Sequence, residues 1–235
     1  MYTNSNVLLL SCTRKEFREW INGGNLRVAI IPTGSTEQHN EHMIMGMDTN
    51  SVTIVCTKVA QIMYPSVVVT PTVSIGISPH WMNRKGTLTL QRETFLNVVY
   101  DICDSLKHHG IDKVLIVNGH GGNDIPLKES MDDFNNKLGI KIEACSYWDG
   151  MKDCPEKFIE YDKIPSHAAE FETSIALAEF PDGIRYSNKD LFFYNGWDRR
   201  TFDESKAASS DKGNYIIKSA IEFIKEKLIR MMEKN

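Results

Sequence analysis

Two kinds of hydrophobic segment alternate along the chain. Nearly continuous apolar runs rich in β-branched residues, typical of strands covered on both faces, lie at residues 27–32, 67–70, 113–117 and 141–148. Apolar positions at helical spacing separate them and predict helices over residues 13–22, 50–64, 89–109, 124–138, 168–180 and 213–232. Strands that alternate with helices predict an α/β fold with a mainly parallel sheet, because parallel neighbours need crossover connections.

Two long stretches lack a clear hydrophobic period. Residues 72–85 are rich in Ser, Gly, Pro, His and Trp, and residues 180–210 are rich in Tyr, Trp, Arg and Gly. Loops of this length in a compact domain are usually functional or mobile. We therefore expect these stretches, together with residues 148–165, to supply the walls of any binding pocket.

Composition narrows the class of protein. The 235 residues, 41% of them hydrophobic, are enough for one domain that spans residues 1–235. The net charge of −4 leaves no basic surplus for nucleic acid or an anionic membrane. Five cysteines without a C-x-x-C pair argue against a disulfide framework and fit a reducing compartment. No apolar run reaches the length of a membrane span or a signal-peptide core, so we expect a soluble, cytoplasmic protein.

The first predicted strand is followed by a loop rich in metal-binding side chains. Glu37, His39 and Asp48 lie in it, with Glu41 and His42 between them. Carboxylates and imidazoles without thiolates suit Zn²⁺, Mn²⁺ or Fe²⁺. A solvated surface loop is the alternative, because short motifs also occur by chance.

The third predicted strand is followed by a second such segment, residues 118–123, in which His120 stands among glycines. Ligands of open parallel sheets bind at the carboxyl ends of the strands, so both segments are expected at one edge. This convergence favours a functional site over two solvated loops. The alternative is a glycine-rich nest that binds phosphate or a nucleotide without hydrolysis, although the segment lacks the Lys-Ser/Thr of a P-loop.

Four motifs lie in a fixed order along nearly the whole chain. They are Pro32-Thr33-Gly34-Ser35-Thr36-Glu37-Gln38-His39 with Gly46-x-Asp48 downstream, Gly86-Thr87-Leu88-Thr89-Leu90, Asn118-Gly119-His120-Gly121-Gly122-Asn123, and His167-Ala168-x-Glu170-x-Glu172-Thr173-Ser174. Together they resemble the creatininase (creatinine amidohydrolase) family. The resemblance implies a three-layer α/β sandwich with a mostly parallel central sheet and helices on both faces, which agrees with the hydrophobic pattern. It also implies a homohexamer that hydrolyses small molecules, typically cyclic amides or formamides.

The resemblance implies a centre with two divalent metal ions. It assigns Glu37 and His120 to one ion, His39 and Glu170 to the other, and Asp48 to both. A carboxylate has two oxygens and can span two cations, whereas an imidazole offers one nitrogen to each. Two cations roughly 3.5–4 Å apart would hold a hydroxide at neutral pH and polarise a substrate carbonyl.

Other residues of the motifs take supporting roles under the same resemblance. His167 matches the histidine near the substrate, and would protonate the leaving nitrogen. Glu172 either orients a metal ligand or only places a favourable charge in the first turn of its helix. His80 and Trp81 either face the substrate or belong to a surface loop with a partly buried Trp.

Two departures from the family pattern bear on the substrate. Gly121 and Gly122 follow His120 where creatininase itself has Tyr and a ligating Glu, which leaves Glu170 to supply that carboxylate. The loss of this aromatic side chain makes creatinine doubtful as the substrate. Gly121 and Gly122 would line the substrate pocket. The same glycines occur in other branches of the family: formamide deformylases, a peptide-processing enzyme, and a hydrolase that cleaves a C–C bond in a keto-inositol ring. Residues 40–45 also depart from the family, and Glu41 places an unusual carboxylate beside the expected centre.

Three charged pairs have simple structural alternatives. His108 and His109 lie at a predicted helix C-terminus, where a cation interacts well with the helix dipole. The pairs at 84–85 and 199–200, Arg-Lys and Arg-Arg, either meet an anionic substrate group or are ordinary exposed basic residues.

Overall fold

Four parallel strands form the central sheet. The computed structural model describes residues 7–151, 158–161, 166–186 and 196–233. The strands are β1 (Val28–Thr33), β2 (Val67–Val69), β3 (Lys113–Asn118) and β4 (Lys141–Ser146), in the order β2-β1-β3-β4. In the register, Ile30 of β1 lies between Val69 and Leu115. Because all the pairs are parallel, the carboxyl ends of these strands lie at one edge.

Helices cover both faces of the sheet. They are α1 (Arg14–Asn22), α2 (Met47–Ile62), α3 (Arg92–His108), α4 (Gly121–Leu138), α5 (Glu170–Glu179), α6 (Gly196–Ser205) and α7 (Ser210–Glu233). Strand side chains alternate between two buried clusters: Ile30 packs with α2, α5 and α7, whereas Ile31 packs with α1, α3 and α4. The predicted three-layer α/β architecture is confirmed.

Most element boundaries lie within three residues of those predicted. Thr13 caps α1 with a capping box that includes Glu16, as the helix-start pattern indicates. Helix α2 begins at Met47, before the predicted cap at Thr49 or Asn50, so Asp48 lies in its first turn. Helix α3 begins at Arg92, later than predicted, and α4 begins at Gly121, three residues earlier than predicted.

The two stretches without a clear period contain short helices. Residues 72–85 include a 3₁₀ turn at Pro79–Trp81. The described part of residues 180–210 contains a 3₁₀ turn at Pro181–Gly183 and α6, which packs on α5; residues 187–195 lie outside the described residues. No helix within the described ranges is long and apolar enough to cross a membrane.

Candidate metal centre

Five carboxylate and imidazole side chains meet at the carboxyl edge of the sheet. Glu37 and His39 follow β1, Asp48 lies in the first turn of α2, His120 caps α4 after β3, and Glu172 lies in the first turn of α5. All five are buried. Five acidic or imidazole groups removed from water at one place require partners of opposite charge.

These side chains form two triads that share Asp48. Glu37, Asp48 and His120 make one, and His39, Asp48 and Glu172 make the other, with candidate ligand atoms within 4.8 Å of one another. Asp48 Oδ1 is 3.2 Å from His39 Nε2, and its Oδ2 is 3.0 Å from His120 Nδ1. Each oxygen of this carboxylate therefore faces a different triad.

The donor set fits divalent cations. Asp48 Oδ2 and His39 Nε2 are buried and make no hydrogen bond of acceptable geometry, although they lie close to their neighbours. Oxygen and imidazole nitrogen donors are those that Zn²⁺, Mn²⁺ and Fe²⁺ accept. Each triad supplies both kinds of donor, and the shared carboxylate allows two ions to lie side by side.

Electrostatics in the cluster favour added positive charge. Burial works against protonation of His120, yet Asp48 and Glu37 outweigh it and raise the pKa of His120 to about 9. Burial likewise opposes the charge on His39, whose pKa is raised well above its ordinary value by Asp48 and Glu172. Burial alone would raise the pKa of Asp48, but the two imidazoles lower it strongly. Protons on the imidazoles or bound cations satisfy the carboxylates.

The structure corrects the expected placement of Glu170. This side chain is fully buried, but its Oε2 accepts the backbone N–H groups of Glu160 at 2.8 Å and Tyr161 at 2.9 Å, and its Oε1 pairs with Lys212. Glu172 Oε2 lies 3.5 Å from His39 Nε2 instead. Residues two apart in a helix point about 200° apart, so only one of the two can face the cluster.

The close approach of α4 to the 72–85 stretch fixes the His120 ring. Its Nε2 is 3.1 Å from the Ile77 carbonyl oxygen and 3.1 Å from Ser78 Oγ, which leaves Nδ1 toward Asp48. A Cβ on Gly122 would lie 2.0 Å from the Ile77 oxygen, so a side chain there is excluded without a backbone shift. A Cβ on Gly121 would meet nothing within 4 Å. Only one of the two glycines is therefore required by packing.

His167 lies beside the cluster. Its Nδ1 is 3.4 Å from Glu37 Oε1, and its Nε2 is 2.8 Å from the Gln38 carbonyl oxygen. The ring stacks between His39 and Trp81, with centroid distances of 4.3 and 4.7 Å. Burial, followed by the neighbouring His39, lowers the pKa of His167 well below its ordinary value. The ring is thus held where it can exchange a proton with a group bound at the cluster.

A cavity of about 410 Å³ opens onto the two triads. Its lining includes the four residues predicted to face a substrate, His80, Trp81, Gly121 and Gly122. It also includes Trp148, which the motifs did not identify. Trp148 comes just after β4, so its position at the carboxyl edge of a strand was the available signal.

The remaining polar candidates lie elsewhere. Glu41 is exposed and belongs to neither triad. His42 is buried, and its ring packs on Tyr186 and Phe202 at 5.5 and 5.3 Å. The loop that carries Glu37 and His39 therefore packs against Tyr186 and against Phe202 of α6.

The structure shows the surroundings of the histidine pair and of the two basic pairs. His108 ends α3 and His109 follows it, as predicted for cations at a helix C-terminus. The 199–200 arginines are exposed and pair with acidic residues one turn along α6. Arg84 instead makes an ion pair of 2.6 Å with the buried Asp198.

Carboxylates and imidazoles gathered at the carboxyl ends of parallel strands lie where α/β proteins bind ligands, and they are the side chains that hold metal ions in hydrolytic enzymes. The family model of creatininase, described as creatinine amidohydrolase, matches residues 11–228. The chain therefore belongs to the creatininase family, and it is a hydrolase of the class that acts on C–N bonds other than peptide bonds.

Relatives and solved structures agree with this assignment. Creatinine amidohydrolase of Pseudomonas putida is 32% identical over 197 residues, which cover 76% of this chain and 74% of the relative. A 3-dehydro-scyllo-inosose hydrolase of Thermotoga maritima is 27% identical over 184 residues, covering 76% of this chain and 58% of the relative. A crystal structure of creatininase superposes with a TM-score of 0.81 at 25% identity, covering 97% of this chain and 99% of that one. Similar creatininase structures are described as Zn–Zn type and as Mn.

Proposed function

We propose that this protein is a metal-dependent amidohydrolase that opens a small cyclic amide or cleaves a formamide. It would hold two divalent cations per chain, of Zn²⁺, Mn²⁺ or Fe²⁺. The observation that carries this proposal is the pair of buried triads that share Asp48. Two triads joined by one carboxylate match a pair of cations at the short separation used for hydrolysis.

The two cation positions divide the ligands. One ion would take Glu37 and His120, the other would take His39 and Glu172, and Asp48 would contact both. Glu172 replaces Glu170 in this proposal, because the Glu170 carboxylate is occupied by Lys212 and two backbone N–H groups.

The chain's own residues would handle the substrate and the protons. When bound, the cations would supply an activated water and polarise the scissile carbonyl. His167, next to Glu37 and held by the Gln38 carbonyl, would accept a proton from the attacking water and return it to the leaving nitrogen. Trp81 packs on His167 and would exclude solvent from that side of the ring. His80 and Gly121 would border the substrate in the 410 Å³ cavity.

A second candidate is hydrolysis of a keto-inositol-type ring. It is favoured by the likeness to the inosose hydrolase, which extends over 76% of this chain. A phosphate- or nucleotide-binding module is less well supported, because Glu37, Asp48 and Glu172 line the same cavity and would repel a phosphate.

We further propose a cytoplasmic homohexamer. The buried Cys56, Cys103 and Cys145 are free thiols, which suits a reducing compartment. The hexamer is suggested by the family. Light scattering during gel filtration measures the assembly directly, and a monomeric mass would contradict it.

Metal analysis and a hydrolysis screen test the main proposal. After purification in metal-free buffer and loading with Mn²⁺ or Zn²⁺, we expect about two ions per chain. The screen compares lactams, hydantoins, creatinine, formamides and cyclic ketones. A folded protein that retains no metal, or that hydrolyses only the ketones, would contradict amide hydrolysis.

A further inference from the structure

A second polar cavity of about 390 Å³ lies next to the catalytic one. Its lining includes Gln38, Asn83, Arg84 and Lys85, with Glu41 also present. Gln38 links the linings of the two cavities: it lines the second, and its Nε2 is 3.0 Å from Nε2 of His167, which lines the first. A substrate bound beside His167 therefore has the second cavity within reach on the Gln38 side.

The Arg84 guanidinium is held in a defined position. One of its terminal nitrogens is 2.6 Å from Asp198 Oδ2, and Asp198 is almost fully buried. The backbone N–H of Arg84 also donates to the carbonyl of Trp81, which stacks on His167. A guanidinium that one carboxylate holds in place still has N–H donors for a second carboxylate. Because its position is already fixed, it loses little conformational entropy when the second carboxylate binds.

The cavity lining carries two cations, Arg84 and Lys85, and two carboxylates, Glu41 and Asp198, which differ in their access to a ligand. The Arg84 side chain is 39% exposed, and Lys85 is exposed with no ion-pair partner within the described ranges. The free oxygen of Asp198, Oδ1, is sealed from solvent and cannot reach a ligand. Glu41 is the one exposed carboxylate of the lining. Arg84 keeps N–H donors beyond its bond to Asp198, and the Lys85 ammonium is exposed, so both side chains can contact one anionic group.

We propose that this cavity binds a carboxylate on the substrate, at the end remote from the scissile amide. Arg84 and Lys85 are then specificity-determining residues, and the substrate class is a small amide or formamide that carries a carboxylate. The substrate class in this inference rests on the proposed amidohydrolase function, whereas the binding of a carboxylate in this cavity does not.

The test compares four formamides that differ in charge. N-formyl-β-alanine and N-formyl-4-aminobutyrate carry a carboxylate at two distances, N-propylformamide is neutral, and N-(3-aminopropyl)formamide is cationic. We expect the better acid to exceed the neutral compound in kcat/KM by at least about tenfold, as for a hydrogen bond to a charged group. Equal values, or a preference for the amine, would overturn the inference.

Two variants assign the preference to this cavity. Lys85→Gln removes an exposed positive charge and leaves no carboxylate unpaired. It should lower kcat/KM for the acids alone. Arg84→Gln is combined with Asp198→Asn, because a lone buried Asp198 carboxylate would destabilise the fold. In both variants kcat/KM should fall at least about fivefold more for the acids than for N-propylformamide, which has no carboxylate to bind. A preference for acids that survives both variants would refute the assignment.

Calorimetric titration with N-formyl-4-aminobutyrate separates the two proposals. If no formamide is hydrolysed, the amidohydrolase proposal fails, while binding that weakens about tenfold in the Arg84→Gln/Asp198→Asn protein still supports the carboxylate site. Binding that is equal in the wild type and this variant would place the acid elsewhere and overturn the site.

Discussion

Glu170 and Glu172 lie two residues apart in the first turn of α5, and their carboxylates have different surroundings. Glu172 faces His39 and also accepts the Ala168 N–H at 2.6 Å. Glu170 joins α5 to Lys212 of α7 and to the backbone of residues 160–161. At the scale of single residues, one carboxylate therefore faces the candidate metal centre, and the other joins the helices that pack beside it.

Substitution of each glutamate by glutamine separates these roles. Glu172→Gln should lower the metal content from about two to about one ion per chain and reduce kcat by about a hundredfold or more, because one cation loses an anionic ligand. Glu170→Gln should keep the metal content and lower the free energy of unfolding by about 3 kcal/mol, because Lys212 loses its buried partner. Metal analysis and urea unfolding of both variants decide the matter. If Glu170→Gln is the variant that loses metal, the assignment is reversed.

At the scale of elements, the start of α4 controls the shape of the centre. The helix begins directly after His120, and Gly122 allows the Ile77 carbonyl to approach and hold the imidazole. Gly121, one residue earlier, lines the 410 Å³ cavity, and a Cβ there would meet nothing within 4 Å. The two neighbouring glycines therefore give a matched pair of sites for substitution.

Gly122→Ala should destabilise the protein by about 1–3 kcal/mol, the usual cost of forcing a methyl group into a packed site. It should also weaken metal binding, because a displaced Ile77 carbonyl no longer fixes the His120 ring. Gly121→Ala should change stability by less than about 0.5 kcal/mol, as at an open surface position. Thermal unfolding with and without Mn²⁺ compares the two variants. Equal losses in both would show that the close approach of the Ile77 carbonyl does not limit this position.

The elements differ in how far their sequences determine them. The strands were predicted to within about two residues, because a β-branched apolar run is a local signal. The helix starts next to the centre were predicted less well, since Gly46 precedes α2 without a side-chain cap and His120 precedes α4 without one. The motif positions predict that Glu37, His39, Asp48 and His120 lie together, and the structure brings these side chains together. The choice between Glu170 and Glu172 depends on how α5 packs, which motif positions alone do not give.

Contacts between distant segments could not be predicted from local pattern. Helix α6 was not recognised, although Asn40 donates to Thr201 Oγ1 at 2.8 Å and Arg84 pairs with Asp198 there. Asn40 adopts a left-handed backbone conformation, with φ of 54°, which its short side chain tolerates. Asn40, one of the residues at 40–45 that depart from the family pattern, therefore contacts α6. This contact is visible only in the folded chain.

At the scale of the whole molecule, the sheet separates two buried clusters, and each contains cysteines. Cys56 and Cys145 lie in the cluster of α2, α5 and α7, and Cys103 lies in the cluster of α1, α3 and α4. Burial raises the pKa of Cys103 and of Cys145 to about 12, and that of Cys56 well above its ordinary value. Both halves of the core therefore resist the ionisation of a thiol.

This burial predicts a loss of stability at alkaline pH. Near neutral pH the three thiols are protonated in the native and the unfolded chain, so they contribute no pH dependence. As pH rises above the ordinary thiol value of 9.0, the unfolded chain releases protons that native Cys103 holds until about pH 12. The native state then binds more protons, and the free energy of unfolding falls by about 1.4 kcal/mol per pH unit for each buried thiol.

Urea unfolding of the wild type and of Cys103→Ala at several pH values between 8 and 11 measures this contribution. The variant should be less stable at pH 8, because it loses buried volume, but its stability should fall with pH more gently by about 1.4 kcal/mol per unit above pH 9.5. Cys12→Ala is the control: Cys12 is only partly buried, so its removal should change the slope much less. Identical slopes for the wild type and Cys103→Ala would mean that the thiol of Cys103 ionises as readily in the native core as in the unfolded chain, and that the core around α3 is open to water.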